Sequence, residues 1–560
     1  MNCFRNKLLL VFACLAMGSA APLLAQTSTT NETPWRSDLR YFQQLIHSKY
    51  PNLFYNITAQ QFDSAVERID KKIGDLNDVQ MNIEFSKLVA LFKIGHTAVR
   101  QRAGTGDALI PWVHPAPLRF YLFSDGLYIK NIDPRFKEAA GGKVIRIGNT
   151  DAAIALEKIK PAIAFENEQG FKNMIQYYLH LPEFLHATGI IDQVHQVPVT
   201  YLKDDIQKTI LLPAEDMPAA MGHGPDATNN WPDAFEGANR PLWMKEPDRL
   251  RYFEYLKDSK TVYVRHSAVQ DESNETIAAF FAKVFRFIDS NVVDKFVLDI
   301  RLNGGGNNYL NKPVITGIIQ SKKINQRGHF FIITGKATFS AAQNLTNELE
   351  KYTEAIFVGE PTSENVNFFG DTRTEVLPNS KLNINLSWLW WQNLDPRDKR
   401  KWTAPQLATD MSSDEYKKGI DPAMDAILAY KEQGAIDVQL RELVLAGKYE
   451  EAVSKARKYL EDPLHRYYKA GLENKVNEFG YRLMNQGKFQ EANKVLNINV
   501  QLFPESANAY DSYAESWLKL GNKEEAIKNY QVAISKDPHG VTGENARNML
   551  KQIQEDKKGF

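Results

Sequence analysis

Between residues 261 and 359 short apolar runs alternate with amphipathic stretches, and few architectures accept that pattern. Thr261-Val-Tyr-Val-Arg reads as a strand, and Lys295-Phe-Val-Leu-Asp-Ile, His329-Phe-Phe-Ile-Ile-Thr and Ala355-Ile-Phe-Val-Gly read as buried ones. Glu275 to Ser290 and Ser340 to Tyr352 have helical spacing, and a further helix follows the glycines at 304–306. Strands alternating with helices imply βαβ units around a central sheet, an α/β fold. In such folds reactive groups gather where strand ends lead into helices.

The rest of the 560 residues leaves room for two or three more units, at roughly 150 residues each. Residues 35–95 read as helices. Residues 117–150 switch to strand-like alternation, in Leu118-Arg-Phe-Tyr-Leu-Phe, Leu127-Tyr-Ile-Lys and Lys143-Val-Ile-Arg-Ile-Gly. Helix returns over 151–190, and 213–245 is rich in Pro, Gly, Asn, Asp and Met, as a long loop would be. After Tyr430 a period appears. Gly487-Lys-Phe-Gln-Glu-Ala492 recurs as Gly521-Asn-Lys-Glu-Glu-Ala526, Pro504 as Pro538, and Leu483 is answered by Trp517, each 34 residues on. Gly447-Lys-Tyr-Glu-Glu-Ala452 is a looser earlier copy. This is the mark of a tetratricopeptide array, in which each helix pair stacks on its neighbours to bury its apolar face.

Composition excludes several functions. Lys+Arg 68 against Asp+Glu 68 leaves no basic footprint for nucleic acid. Both cysteines, Cys3 and Cys14, fall in an N-terminal stretch that reads as a secretory signal, residues 1–25. There Arg5 and Lys7 precede an apolar core, and small residues run up to Leu23-Leu24-Ala25. The chain beyond it has no thiol for disulfides, zinc, iron–sulfur clusters or nucleophilic catalysis. A periplasmic or secreted protein is expected. Lipid anchoring at Cys14 is the weaker alternative, because Phe12 fits a lipoprotein signal poorly. No later stretch is apolar and long enough to span a membrane. Neither His-Glu-x-x-His nor an EF-hand loop occurs, so no metal is proposed, and no cofactor.

Three stretches could carry chemistry. Asp299-Ile-Arg-Leu-Asn303-Gly304-Gly305-Gly306 follows a buried strand, and its glycines either bring free N–H groups close to an anion or simply make a tight turn. Ser340, in Thr338-Phe-Ser340-Ala341-Ala342, stands at a helix start. A nucleophile is well placed there, and so is an ordinary helix cap. His96, in Gly95-His96-Thr97, is of a residue type that takes a proton from a serine. Ser516-Trp-Leu-Lys519 lies in a repeat helix and is set aside. Trp388, Trp390 and Trp391 read first as part of a strand rather than as a sugar platform.

In order, Gly95-His96-Thr97, Asp299-Ile-Arg-Leu-Asn-Gly-Gly-Gly, Thr338-Phe-Ser340-Ala-Ala and Val358-Gly-Glu-Pro-Thr362 resemble the C-terminal processing (tail-specific) peptidase family. Softer matches at Tyr50-Pro-Asn-Leu and Leu377-Pro-Asn-Ser extend the likeness over roughly residues 35 to 430. The resemblance implies a crotonase/ClpP-like peptidase core and serine peptidase chemistry. Members that pair serine with lysine carry the lysine shortly after the Gly-Glu-Pro-Thr motif. Here that place reads Ser363-Glu364-Asn365-Val366-Asn367, and Lys336 is not at the family's lysine position. With His96 retained, the chain resembles the Ser/His style of the tricorn protease core. The implied roles are Ser340 as nucleophile, His96 as base, and N–H groups of Gly305 or Gly306 and of Ala341 as the oxyanion hole. Glu360, Asp371 and Glu415 are the candidates for an orienting acid.

The expected organisation is therefore a signal peptide (1–25), an N-terminal helical region (26–116) and a divergent PDZ-like segment (117–160). A helical connection and loop insertion (161–245), the peptidase core (246–432) and tetratricopeptide repeats (437–556) follow. The PDZ-like segment lacks a recognisable carboxylate-binding loop. The implied ligand is a peptide or protein substrate, and the repeats offer a surface for a protein partner. A non-catalytic ligand- or peptide-binding protein on the same scaffold is the alternative.

Overall fold

Helix α1 (Pro34–Lys49) starts where Thr33 accepts the N–H of Arg36, and it buries Leu39, Phe42 and Ile46 at helical spacing. The computed structural model to which it belongs describes residues 33–100, 115–215, 231–432 and 434–556. The expected signal peptide and Cys14 lie outside the described residues. Helices α2 (Ala59–Asp70) and α3 (Asp78–Ala90) each open with a reciprocal capping box, Thr58 with Gln61 and Asn77 with Gln80. Phe42, Phe62 and Phe85 meet between the three helices. A two-residue strand, β1 (Ala98–Val99), then leads away.

An antiparallel sheet follows, built from β2 (Leu118–Phe123), β3 (Gly126–Ile132), β4 (Lys143–Ile147), β5 (Thr150–Asp151), β6 (Gln196–Lys203) and β7 (Ile206–Pro213). The order is β2-β3-β4-β6-β7, with β5 against β4. The expected boundary at residue 160 does not divide it. Helices α4 (Ala152–Ile159), α5 (Glu168–Tyr178) and α6 (Pro182–Ala187) lie between strands that are neighbours in space, and β6 and β7 close the sheet from within the 161–245 stretch.

The central unit runs β8 (Arg251–Leu256), β9 (Thr261–His266), α7 (Ile277–Ser290), β10 (Lys295–Asp299), α8 (Lys312–Gln320), β11 (Phe330–Thr334), α9 (Ala341–Tyr352) and β12 (Ile356–Gly359). A long hairpin, β13 (Asn367–Val376) and β14 (Asn383–Gln392), precedes β15 (Leu407–Ala408), α10 (Ser413–Lys418) and α11 (Pro422–Ala429). The sheet order is β15-β12-β11-β10-β9-β8, parallel throughout except for β8 against β9. Its strands divide their residues by parity. Val262, Val264, Phe296, Leu298, Phe330 and Ile332 pack towards α7, α8 and α9, while Tyr263, Val297, Phe331 and Ile333 pack on the opposite face with Met424 and Ile427 of α11. Strands covered on both faces must be apolar on both, which is why these runs show no polar alternation.

The hairpin β13–β14 does not join that sheet. It pairs with β1, Ala98 opposite Asn385 and Val99 opposite Ile384, and its Leu377, Ile384 and Leu386 enter the core of the N-terminal helices.

The array is α12 (Ile436–Leu445), α13 (Tyr449–Glu461), α14 (Lys469–Asn485), α15 (Phe489–Leu502), α16 (Ala507–Lys519), α17 (Lys523–Lys536) and α18 (Val541–Asp556). Gly447, Gly487 and Gly521 end the first helix of each pair at φ between 74° and 79°. The residue after each donates back to Leu443, Leu483 or Trp517, so the repeated glycine and the Leu483/Trp517 correspondence belong to one helix-ending motif. Ala452, Ala492 and Ala526 are fully buried where the paired helices touch. Among the described residues no helix is long and apolar enough to cross a membrane.

Candidate active site

Ser340 sits between β11 and α9, but it does not cap the helix. Its side chain bonds no helix N–H, and its backbone stands at φ 58°, ψ −125°, a region L-residues avoid. The turn swings the hydroxyl out of the helix axis, and Oγ lies 3.0 Å from His96 Nε2. The glycine loop allows this close turn. A Cβ on Gly305, whose φ is +100°, would come within 2.6 Å of Ser340 Cβ and 2.9 Å of the Ala341 nitrogen.

His96 comes from the other side of the molecule. The turn after α3 carries it, and Thr97 fixes the turn by accepting the N–H of Ser387 in β14 with Oγ1 at 3.0 Å. The imidazole lies nearly parallel to Phe339 at 4.4 Å and to Phe368 at 5.9 Å. Gly95 has to be small, since a Cβ there would approach the Phe339 ring to 3.0 Å. The hairpin and the N-terminal helices thus bring in His96, and the central sheet brings in Ser340.

The acid beside His96 is none of the three expected. Glu415 serves as the capping acid of α10, its Oε2 accepting both the N–H and the hydroxyl of Ser412. Asp371 lies exposed on β13 and accepts the indole N–H of Trp391. Glu360 lines a separate pocket with Lys336, whose ammonium donates to the Leu122 carbonyl and sits over the Tyr121 ring. Glu364 takes the place instead. It is 0% exposed, with Oε1 at 2.9 Å from His96 Nδ1 and Oε2 accepting the Ser340 N–H at 2.5 Å. The Nδ1 approach is off the line of a straight hydrogen bond, and neither of its two atoms has a better partner. Glu364 is the only acid in the pentad Ser363-Glu364-Asn365-Val366-Asn367, the stretch in which the resemblance led to a lysine being sought. An acid standing alone in that short stretch is the signal from which it could have been read.

Burial opposes charge on each of these groups alone. It draws the His96 imidazole down to about 4 and pushes the Glu364 carboxyl well above the usual carboxylate range. An imidazolium formed next to a carboxylate offsets part of both costs. At neutral pH His96 is therefore neutral. With its proton on Nδ1, towards Glu364, Nε2 is free to accept from Ser340.

The expected anion donors divide. Gly305 N–H is committed to Asn303 Oδ1 at 2.9 Å. The N–H groups of Gly306 and Ala341 meet no hydrogen-bond acceptor among the described residues. Gly95, Gly304, Phe339 and Ser363, which flank the pair, line a cleft of about 630 Å³. Its walls are mainly apolar, with Phe165, Met174 and Tyr177 on one side and Glu166 and Arg249 among the charged residues.

No family model matches the chain, and no curated protein matches it by sequence. Among solved structures it is similar to mature CPAF complexed with lactacystin, with a TM-score of 0.51 at 11% identity over 70% of this chain and 98% of that one. Mature CPAF by itself gives a TM-score of 0.51 at 11% identity, over 70% of this chain and 97% of its own. The photosystem II D1 C-terminal processing protease aligns over 70% of this chain and 98% of its own at 13% identity, with a TM-score of 0.34 that is too low to bear on the fold. What is shared with CPAF is the fold.

Proposed function

We propose that the chain is an exported serine-type endopeptidase that uses a Ser340–His96–Glu364 relay. The observation that carries this is the 3.0 Å contact of His96 Nε2 with a serine whose backbone is held in a strained turn at a helix start. Strain of this kind persists only where the surroundings impose it, and at a strand-to-helix turn it exposes a nucleophile.

His96 takes the Ser340 proton as Oγ attacks a peptide carbonyl carbon. The carbonyl oxygen becomes an oxyanion, and the N–H groups of Gly306 and Ala341 are the donors left free for it. Each such donor is worth about 3 kcal/mol of barrier. Glu364 holds the imidazole by Nδ1 and steadies its positive charge. His96 then returns the proton to the departing amine, leaving an acyl-serine for water to hydrolyse. The cleft beside the pair receives the substrate chain, and the repeats hold a protein partner.

Hydrolysis of a mixture of unstructured peptides by the purified protein, set against Ser340→Ala, tests the reading. Turnover that disappears in the variant supports it. Equal turnover in both forms would refute Ser340 as the nucleophile, and none in either would leave a binding protein on the same scaffold.

A further inference from the structure

Glu166 belongs to neither the nucleophile nor its expected partners, yet both loops of the site converge on it. Its Oε2 accepts the N–H of Asn365 at 3.0 Å, next to Glu364, and its Oε1 accepts the N–H of Gly95 at 3.4 Å, next to His96. Its stem packs over Gly95, where a Cβ would meet Glu166 Cγ at 3.7 Å. The following residue extends the grip. Asn167 Oδ1 caps α5 by accepting from Gln169 and Gly170, and its Nδ2 donates to the carbonyls of Thr362 and Lys401. Two consecutive side chains at the start of α5 therefore tie down the acid-bearing segment 362–365. One of them also reaches the turn that carries the base.

We infer that Glu166 is a positioning residue, a two-armed staple that sets the distance between His96 and Glu364 by holding Gly95 and Asn365 on the two oxygens of one carboxyl group. The inference rests on the hydrolase reading above. Neither donor is a side chain, so among substitutions at residue 95 or 365 only proline removes its N–H, and the Glu166 carboxyl is the part that a side-chain change adjusts. Two acceptor oxygens are needed for two N–H groups. A glutamine keeps one and turns an amide N–H₂ against the other. Burial and the neighbouring Glu364 raise the Glu166 carboxyl to about 8, so near neutral pH it is mostly protonated and holds the two N–H groups as a neutral carboxyl.

The test compares the full chain with Glu166→Ala and Glu166→Gln on one short peptide, with thermal unfolding of each. Misplacing a catalytic group by about 1 Å costs roughly 10²-fold. The alanine variant should lose kcat by about that factor with KM within about twofold. The glutamine variant should fall between it and the unaltered protein. If the alanine variant does not fold, the glutamine variant carries the comparison, with a kcat loss of about tenfold expected. A kcat within about twofold of the unaltered protein in whichever variant folds would overturn the inference. So would a loss confined to KM, which would make Glu166 a wall of the substrate cleft. Should the unaltered protein fail to turn over peptide, the hydrolase reading falls separately. The staple is then read from the His96 ring resonances, which must shift or broaden in Glu166→Gln, and unchanged resonances would overturn it.

Discussion

At the scale of single residues, one dihedral separates a helix cap from the turned-out serine that the proposed chemistry needs. Ser340 occupies the place of a helix cap in sequence, and nothing local distinguishes the two roles. Only φ 58° and the turned-out hydroxyl do so, and those depend on Gly305 lying against it. The serine, the histidine and the glycine loop were legible because each stands in a distinctive local string. The acid was not, since Glu364 is a lone carboxylate in a short loop and its partner lies 268 positions away. Glu364→Gln keeps the shape and the acceptor for the Ser340 N–H but removes the carboxyl that can take up negative charge beside an imidazolium as it forms. It should lower kcat by roughly 10²–10⁴-fold with little change in KM. Recovery of normal kcat in that variant would return the role to another acid. The pH dependence has a definite sign. A base must be unprotonated to work, and burial brings His96 down to about 4, so kcat/KM should hold steady from neutral pH into the mildly acidic range and fall as pH drops through about 4. An acid limb near 6.5 would mean a solvated imidazole.

Elements decide which side chains travel together. The short pairing of β1 with β14 looks negligible, yet with the Thr97–Ser387 bond it sets the height of His96 over the hairpin. The repeats show the same dependence on a small feature. Gly447 and Gly487 are 40 positions apart instead of 34, and the surplus falls in the segment holding the short turn Pro463–His465. Just after that turn, Arg466 donates to the Ala408 carbonyl and pairs with Asp410, and the Tyr468 hydroxyl donates to Ala404. The first repeat is therefore bonded to the edge of the central sheet. Removing residues 469–560 should leave short-peptide cleavage within about twofold, whereas a deletion starting at 437 also removes these ties and should lower the unfolding temperature of the core. Thermal unfolding and peptide turnover of the two truncations check this, and equal behaviour would make the tie incidental. The sheet of residues 118–213 was only half legible. Its first three strands alternate visibly, but β6 and β7 join them across three helices, and no local pattern announces a partner so far along the chain.

Over the whole molecule the site is a seam. Asp38 of α1, fully buried, accepts the N–H groups of Asn379 and Ser380 and the Asn379 amide at the tip of the β13–β14 hairpin. Tyr50 bonds Glu375, and Asn52 donates to the Ser387 carbonyl. The short strings Tyr50-Pro-Asn-Leu and Leu377-Pro-Asn-Ser, which carry no reactive group, are the two sides of this joint. Asp38→Ala would strand two backbone N–H groups in the interior, at a cost of about 3 kcal/mol. It should lower the denaturation midpoint and reduce turnover together, because the hairpin it anchors also positions His96. Normal stability in that variant would show the joint to be held elsewhere. The central claim, that a neutral imidazole and a strained serine form a working pair, is tested most directly by labelling with a fluorophosphonate, which reacts with activated serines. The full chain should be modified at Ser340 and nowhere else, and His96→Ala should slow that modification by about 10³-fold or more. Labelling that spares Ser340, or that proceeds as fast without the imidazole, would contradict the account.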